Sequence, residues 1–185
     1  MIHSKAAIAS GEGKFSIQTI EISEPKKDEI LVKIKAAGIC HTDWDSQSWG
    51  KILVMGHEGA GEVVATGVDV KNFKTGDKVM LNWAIPCYEC FQCQEGNQHI
   101  CERNSAVTAG NKVSGGHANF ESTTFRGNPI EKAFSLGTMS EYTLVREAAC
   151  VKIHVDIPFP SAAIVGCGVM TGYGSVVNVA KVKPG

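Results

Sequence analysis

Three features are missing from this 185-residue sequence, and each absence excludes a class of protein. There is no run of about 18 apolar residues, so the sequence offers no membrane-spanning helix. The N-terminus lacks the long apolar core of a signal peptide. A formal net charge of −1, without a block of basic residues, gives no electrostatic footprint for nucleic acid. We therefore predict a cytoplasmic protein that binds neither membrane nor nucleic acid.

Cysteine, in contrast, is abundant. The sequence contains seven cysteines, an odd number. Because no export signal is present, we favour a reducing cytosol and metal ligation over a framework of disulfides. The length suits one domain, or one domain with part of another.

Four of the cysteines, Cys87, Cys90, Cys93 and Cys101, follow the spacing Cys-x2-Cys-x2-Cys-x7-Cys. Four thiolates satisfy the tetrahedral coordination of Zn²⁺, and the polar residues between them can fold around an ion. The alternatives are a pair of disulfides or an iron–sulfur cluster, although ferredoxin-like runs place the fourth cysteine three residues on and follow it with proline. We predict a closed structural zinc site, which has no open position for chemistry.

Short apolar segments separated by glycine turns dominate the sequence before Pro158. Along one of them, Ile30, Val32 and Ile34 alternate as on a half-buried strand. Short strands at intervals of roughly ten residues are typical of an all-β barrel or sandwich, whereas residues 102–135 show no clear period. The predicted strands are 6–9 and 15–20, which form a hairpin, and 30–36, 62–66, 79–81, 140–145 and 150–153.

After Pro160 the pattern changes from strands to a helix. Five apolar residues recur at helical spacing and predict one face of a helix of about three turns: Val169, Tyr173, Val176, Val177 and Ala180. The sequence Lys183-Pro184-Gly185 ends this helix. We therefore divide the chain into a β domain, residues 1–160, and a helical linker, residues 161–185.

A second metal site is suggested by Cys40, His57 and Cys167, since thiolate and imidazole both bind Zn²⁺. These residues are too far apart in sequence for spacing alone to join them. Taken singly, each cysteine is more often a small core residue, and a lone histidine is more often a surface or hydrogen-bonded residue.

Four motifs, in the family's order, resemble those of the zinc-dependent medium-chain alcohol dehydrogenases, and most closely the branch that includes the glutathione-dependent formaldehyde dehydrogenases. They are GICHTD at 38–43, GHEGAG at 56–61, the four-cysteine loop, and GCGVMTGYG at 166–174. The resemblance implies a mainly β chain, a GroES-like β-barrel with a structural-zinc loop and a C-terminal helix.

The resemblance also implies two zinc ions per chain. The catalytic ion is held by Cys40, His57 and Cys167, which leaves a fourth position for water or the substrate oxygen. In such an enzyme zinc acts as a Lewis acid on the alcohol oxygen while hydride passes to the nicotinamide of NAD(P).

Three residues beside this zinc take catalytic roles by the same resemblance. Asp43 resembles the carboxylate that holds the second nitrogen of His57, although it could instead cap a helix. Glu58 resembles a carboxylate behind the metal that serves as an occasional alternative ligand, or is a plain surface group. Thr42 resembles the hydroxyl that accepts the alcohol proton, or is a helix cap.

Four further positions concern the cofactor, the substrate pocket and the proton relay. His41 stands where many members carry a basic group against the cofactor phosphate; neutral at pH 7, it is a weaker partner. Thr171 resembles a residue that touches the nicotinamide, unless it bonds back to its own helix. Trp83 resembles an aromatic wall of the substrate pocket, or is a core residue. Asp45 replaces the histidine that ends the proton relay in many members, so the relay ends differently or is absent.

Family members continue into a Rossmann domain, and this sequence has no Gly-x-Gly-x-x-Gly after a strand. We therefore expect a catalytic domain without its nucleotide-binding domain, inactive alone. The full-length enzyme is expected to use NAD(P) and a small alcohol or aldehyde, and to form a homo-oligomer. Two competing hypotheses are a non-enzymatic, zinc-stabilised binding or assembly module, and a thiol redox protein that uses Cys87 and Cys90.

Overall fold

The computed structural model describes residues 1–103 and 122–185, and strands dominate them before residue 153. The strands are β1 (Ile2–Ala9), β2 (Phe15–Ile22), β3 (Glu29–Ala37), β4 (Leu53–Val54), β5 (Gly59–Thr66), β6 (Lys78–Leu81), β7 (Thr123–Phe125), β8 (Asn128–Pro129), β9 (Glu131–Lys132), β10 (Tyr142–Arg146) and β11 (Cys150–Lys152). They form a six-stranded sheet in the order β8-β7-β2-β1-β4-β9 and a five-stranded sheet in the order β10-β3-β5-β6-β11. The prediction of a mainly β chain is confirmed.

The helical segments are short and lie mostly in loops or at the C-terminal end of the chain. The α-helices are α1 (His41–Ser46), α2 (Phe91–Gln94), α3 (Phe159–Ala163) and α4 (Met170–Gly174). Turns of 3₁₀-helix occupy Gln98–Ile100, Ala133–Ser135 and Glu147–Ala149, and π-helical turns occupy Val165–Val169 and Ser175–Val179. Among the described residues, none of the helices has the length and apolar content that a bilayer span requires.

The predicted hairpin is confirmed, and it is longer than the sequence indicated. β1 and β2 pair antiparallel from Ile2 opposite Ile22 to Ala9 opposite Phe15. Gly11 and Gly13, with φ of 83° and 80°, supply the left-handed turn that the glycines predicted.

β3 lies inside the five-stranded sheet, between β10 and β5, and pairs with both. Ile30, Val32 and Ile34 share one face and pack in a core with Val79 and other residues. Leu31, on the opposite face, is also buried, in a second core. The prediction of a half-buried strand was therefore wrong for the first half of β3, because apolar cores cover both of its faces there.

Residues 104–121 lie outside the described part of the chain. They make up most of the segment 102–135, in which the sequence showed no period. The rest of that segment contains β7, β8 and β9, which sequence analysis missed. Two or three residues are too few to show a period of two, and the two-residue strand β9 is held by parallel pairing to β4.

The C-terminal helical segment begins at Phe159, earlier than predicted, and continues to Val179 through alternating α- and π-helical turns. α3 packs onto the five-stranded sheet through Ala162 and Ala163 against Ala60. Farther along, the apolar face that the sequence predicted is exposed among the described residues, with Tyr173 at 62% and Val176 at 49%. The described ranges contain no strand–helix–strand nucleotide-binding unit.

Candidate metal centres and active site

The four-cysteine loop closes into one compact cluster. Its ligand atoms all lie within 4.8 Å of one another. The sulfurs of Cys87 and Cys93 are 3.9 Å apart, as are those of Cys90 and Cys101. Four sulfurs at 2.3 Å from a tetrahedral Zn²⁺ would be separated by about 3.8 Å, so the donor set and its spacing fit this ion.

Backbone N–H groups point at the sulfurs of this cluster. Those of Glu89 and Cys90 donate to Cys87 Sγ at 3.4 and 3.3 Å. These donors, with the Glu89 N–H contributing most, lower the pKa of Cys87 to about 6, whereas burial raises the pKa of Cys93 to about 11. Stabilised thiolate at Cys87 favours a metal, because only the deprotonated sulfur is a ligand.

A second cluster joins residues from three distant parts of the chain. The ligand atoms of Cys40, His57, Glu58 and Cys167 lie within 4.8 Å of one another. Cys40 follows β3 and His57 precedes β5, and the pairing of Ala37 with Gly59 brings these two strand ends together. The structure therefore unites the three candidates that spacing alone could not.

The π-helical turn at Val165–Val169 delivers Cys167 to this cluster. Gly166 makes that approach possible, since a Cβ there would overlap the carbonyl oxygen of Leu81 at the end of β6. Burial raises the pKa of the Cys167 thiol to about 12, with the nearby Cys40 and Glu58 acting in the same direction.

Asp43 connects the second cluster to the start of α1. Its Oδ1 lies 3.0 Å from His57 Nδ1, and its Oδ2 accepts a 2.9 Å hydrogen bond from the backbone N–H of Cys40, the N-cap residue. Asp43 thus makes the contact that the resemblance implied. It is not the N-cap itself, as the alternative had it, but stands at the third position of α1 and forms a capping box with the N-cap Cys40. Burial opposes protonation of His57, but the contacts with Asp43 raise its pKa overall.

Glu58 is buried, which excludes the reading of a plain surface carboxylate. Its Oε1 accepts a 3.2 Å hydrogen bond from the backbone N–H of Gly168, next to Cys167. Gly38 leaves the space that its Oε2 occupies, because a Cβ at that position would overlap this oxygen. Glu58 therefore sits directly beside the cluster, where the resemblance expected it.

Thr42 lies against the cluster through its hydroxyl, 3.7 Å from Cys40 Sγ. Burial opposes ionisation of Cys40, yet the N–H and hydroxyl of Thr42 lower the pKa of this thiol. His41 and Asp45 lie on the solvent side of α1, where Nδ1 and Oδ2 are 3.3 Å apart. Asp45 thus pairs with His41 on the exposed face of the helix.

Thr171 lies on α4, exposed, one turn beyond Cys167. The Ser175 hydroxyl donates to the backbone carbonyl of Thr171 at 2.8 Å.

Three aromatic side chains pack together beside His57, and sequence analysis identified only one of them, Trp83. The Phe134 ring lies on the His57 imidazole with 4.6 Å between centroids. Trp83 meets Phe134 edge-on at 5.3 Å, and Trp49 meets it at 6.0 Å. Trp83 also packs on the core of the five-stranded sheet, so it lies both in the core and beside the cluster. No pattern in the sequence signalled Phe134, which stands in the stretch without a period.

The described fold and the two clusters define a β domain with a four-cysteine site and a Cys₂His site. A family sequence model described as "Alcohol dehydrogenase GroES-like domain" matches residues 26–155. The chain therefore belongs to the zinc-type alcohol dehydrogenase family, of which it holds the GroES-like domain. This confirms the predicted GroES-like fold.

Two curated relatives and two solved structures show the same relationship. "Alcohol dehydrogenase B" of Mycobacterium tuberculosis is 39% identical over 176 residues, which cover 92% of this chain and 46% of the relative. "S-(hydroxymethyl)glutathione dehydrogenase" of Escherichia coli is 36% identical over 188 residues, covering 98% and 50%.

Among solved structures, an alcohol dehydrogenase zinc-binding domain protein from Burkholderia ambifaria superposes with a TM-score of 0.85. Benzyl alcohol dehydrogenase from Acinetobacter calcoaceticus superposes with 0.81. Each is 31% identical, and the match covers 100% of this chain and 50% of the other. The chain spans about half the length of the relatives that it matches.

Proposed function

We propose that this chain is the catalytic domain of an NAD(P)-dependent alcohol or aldehyde oxidoreductase. Cys40, His57 and Cys167 would hold its catalytic zinc. The observation that carries the proposal is the convergence of these three residues, distant in sequence, at ligand distances from one another. The donor set of zinc in alcohol dehydrogenases consists of two thiolates and one imidazole, with the fourth position left for water or substrate.

We further propose that Cys87, Cys90, Cys93 and Cys101 hold a second, structural zinc. Their sulfur separations support this role, because they match a tetrahedral ion and far exceed the roughly 2.05 Å of a disulfide bond. A closed site of this kind stabilises a loop that has few apolar residues of its own to bury.

Bound at the Cys₂His cluster, Zn²⁺ would supply Lewis acidity towards the alcohol or aldehyde oxygen. Asp43 would hold the His57 ring so that Nε2 faces the cluster, since its carboxylate engages Nδ1. The hydroxyl of Thr42, beside Cys40, would receive the proton of the alcohol. As it accepts that proton, the Thr42 hydroxyl would release its own proton to water on the outer side of α1, where His41 and Asp45 are exposed and paired with each other.

Glu58 is the remaining acid beside the cluster. With its carboxylate held by the Gly168 N–H, it would be an alternative oxygen ligand when the fourth position changes occupant. His41 and Thr171 would contact the nicotinamide cofactor, since both are exposed near the cluster. The small alcohol or aldehyde would reach the cluster past Trp83, and the complete enzyme would be a cytoplasmic homo-oligomer.

The relatives support an oxidoreductase over a non-enzymatic assembly module, because those described above are dehydrogenases. The test combines metal analysis with kinetics on the longest form of the protein that its gene encodes. We expect two zinc ions per chain and NAD- or NADP-dependent oxidation of small alcohols. Cys40→Ala should lower both the zinc content and this activity. One zinc per chain and no dehydrogenase activity would favour the assembly module instead.

A further inference from the structure

Phe134 and Ser135 both adopt the left-handed backbone conformation, with φ of 52° and 61°. Glycine and asparagine occupy this region readily, whereas a bulky aromatic residue is a genuine outlier there. Two such residues in succession persist only where the surrounding structure over-determines them. The contacts around Phe134 and Ser135 should therefore explain why the chain adopts this conformation here.

Hydrogen bonds tie the strained segment to the loop that carries His57. The backbone N–H of Thr138 donates to Gly56 O at 3.0 Å, and that of Met139 donates to Met55 O at 2.9 Å. The segment is thus fastened to the two residues that directly precede His57, and Phe134 lies only a few residues from these anchors.

The left-handed turn directs the Phe134 ring onto the imidazole of His57. The two ring planes are inclined by 36°, and the Phe134 side chain is 6% exposed. Trp49 and Trp83 pack against the other sides of the phenyl ring, so its own orientation is fixed.

Asp43 and Phe134 restrain different motions of the His57 ring. The carboxylate of Asp43 holds one point of the ring, Nδ1, but a single hydrogen bond leaves the ring free to tilt about it. The phenyl ring of Phe134 lies against the imidazole face and blocks that tilt. Because Asp43 engages Nδ1, Nε2 is the nitrogen left free for the cluster with the sulfurs of Cys40 and Cys167.

We propose that Phe134 is a positioning residue for the Cys40–His57–Cys167 cluster, held in a left-handed backbone conformation so that its ring fixes the plane of the His57 imidazole. The inference rests on the proposed function, since a metal held by that cluster is what the positioning serves. It differs from a general packing role, which would affect the stability of the fold without favouring one metal cluster over the other.

The test loads the protein with Co²⁺ and follows its removal by a chelator through the visible absorption of the bound ion. Cys167→Ser, which keeps only the four-cysteine site, supplies the reference spectrum. We expect Phe134→Leu to lose cobalt from the Cys₂His cluster about 10-fold faster or more, as is typical when a residue supporting a ligand is changed. Phe134→Tyr, which keeps the ring, should behave as wild type, and loss from the four-cysteine site should not change.

The matched control is Ile22→Val, which disturbs a distant core without contacting His57. Equal acceleration at both sites, or the same effect from Ile22→Val, would overturn the inference in favour of general packing. So would an unchanged rate in Phe134→Leu. If this variant does not fold, Phe134→Met, of similar volume, replaces it in the same assay.

A metal-free measurement separates this inference from the proposed function. At a pH where His57 is neutral, NMR of its imidazole should show one fixed ring orientation in wild type and Phe134→Tyr, and conformational exchange of the ring in Phe134→Leu, while the Asp43 contact keeps the proton on Nδ1 in all three. Failure of the wild type to take up a second cobalt ion would count against the proposed function. An equally fixed ring in Phe134→Leu would count against the role of Phe134.

Discussion

His57 Nδ1 and Asp43 Oδ1 lie 3.0 Å apart, and both side chains are almost completely buried. The other oxygen of the same carboxylate caps α1 through the N–H of Cys40. One side chain therefore fixes two of the three candidate ligands, the ring of His57 directly and Cys40 through its backbone. Metal affinity and the stability of α1 should consequently depend on the same residue.

Asp43→Asn tests this coupling. The amide cannot accept hydrogen bonds with both of its terminal atoms, so either the His57 contact or the cap is lost. We expect metal affinity at the second cluster to fall about 10- to 100-fold where the His57 contact is the one lost, or stability to fall by about 1 kcal/mol where the cap is lost. Chelator competition and urea unfolding measure these effects. Asp45→Asn, on the exposed face of the same helix, is the control. It should change the metal affinity and the stability by no more than a small fraction of these amounts.

Metal stoichiometry tests the independence of the two clusters. Cys167→Ser should reduce bound zinc from two ions per chain to one, because the four-cysteine site shares no residue with the second cluster. Inductively coupled plasma mass spectrometry on purified protein measures the ratio. The control is Cys150→Ala, which removes a buried cysteine outside both clusters and should retain two ions. Loss of both ions from Cys167→Ser would show that the sites are not independent.

Much of the fold could be predicted because its longer strands carry enough residues to show a period. β1 and β2 pair over eight residues each and have glycines in the turn, so pattern and turn agreed. β9, with two residues, depends on its pairing with β4 and could not show a period. The burial of Leu31 depends on a second sheet packing over β3, which a single strand's sequence does not report.

One part of the candidate site is formed by residues close together in sequence, and the other part by residues that are far apart. Cys87 to Cys101 are neighbours in sequence, so their spacing alone predicted a metal cluster. Cys40, His57 and Cys167 meet only through strand pairing and a π-helical turn, and a family resemblance was needed to join them. Phe134 could not be found at all, since neither its residue type nor its neighbours indicate a left-handed backbone.

Gly38→Ala tests how closely Glu58 is packed behind the second cluster. A Cβ at residue 38 would overlap Glu58 Oε2 and approach its Cβ to 3.0 Å. Because Glu58 is buried and bonded to Gly168, the overlap should cost about 1–3 kcal/mol of unfolding free energy. Urea denaturation of the zinc-loaded protein measures this cost.

In the Glu58→Ala background, Gly38→Ala should cost less unfolding free energy than it does in wild type, because the overlapping oxygen is gone. Gly172→Ala is the matched control, since no atom lies within 4 Å of a Cβ at that helical position. It should be neutral or stabilising by up to about 1 kcal/mol. Equal losses in the two alanine variants would contradict the packing of Glu58 against Gly38.

Lys132 should make stability depend on pH. Burial lowers the pKa of its ammonium group from 10.5 to about 8, although Glu29 acts in the opposite direction. Between about pH 8 and 10.5 the unfolded chain therefore binds more protons at this residue than the folded protein does. By linkage, its contribution to the unfolding free energy should rise through that window, by up to about 3 kcal/mol for a shift of this size.

Lys132→Met removes the titrating group while keeping a long apolar side chain. The variant should exceed wild type in stability most clearly near pH 7.5, where the wild-type ammonium is charged, and the difference should shrink as the pH approaches 10. Urea unfolding across this range gives both profiles, and their difference cancels the other groups that titrate. Parallel profiles for wild type and Lys132→Met would show that Lys132 is as easily charged in the folded protein as in the unfolded chain.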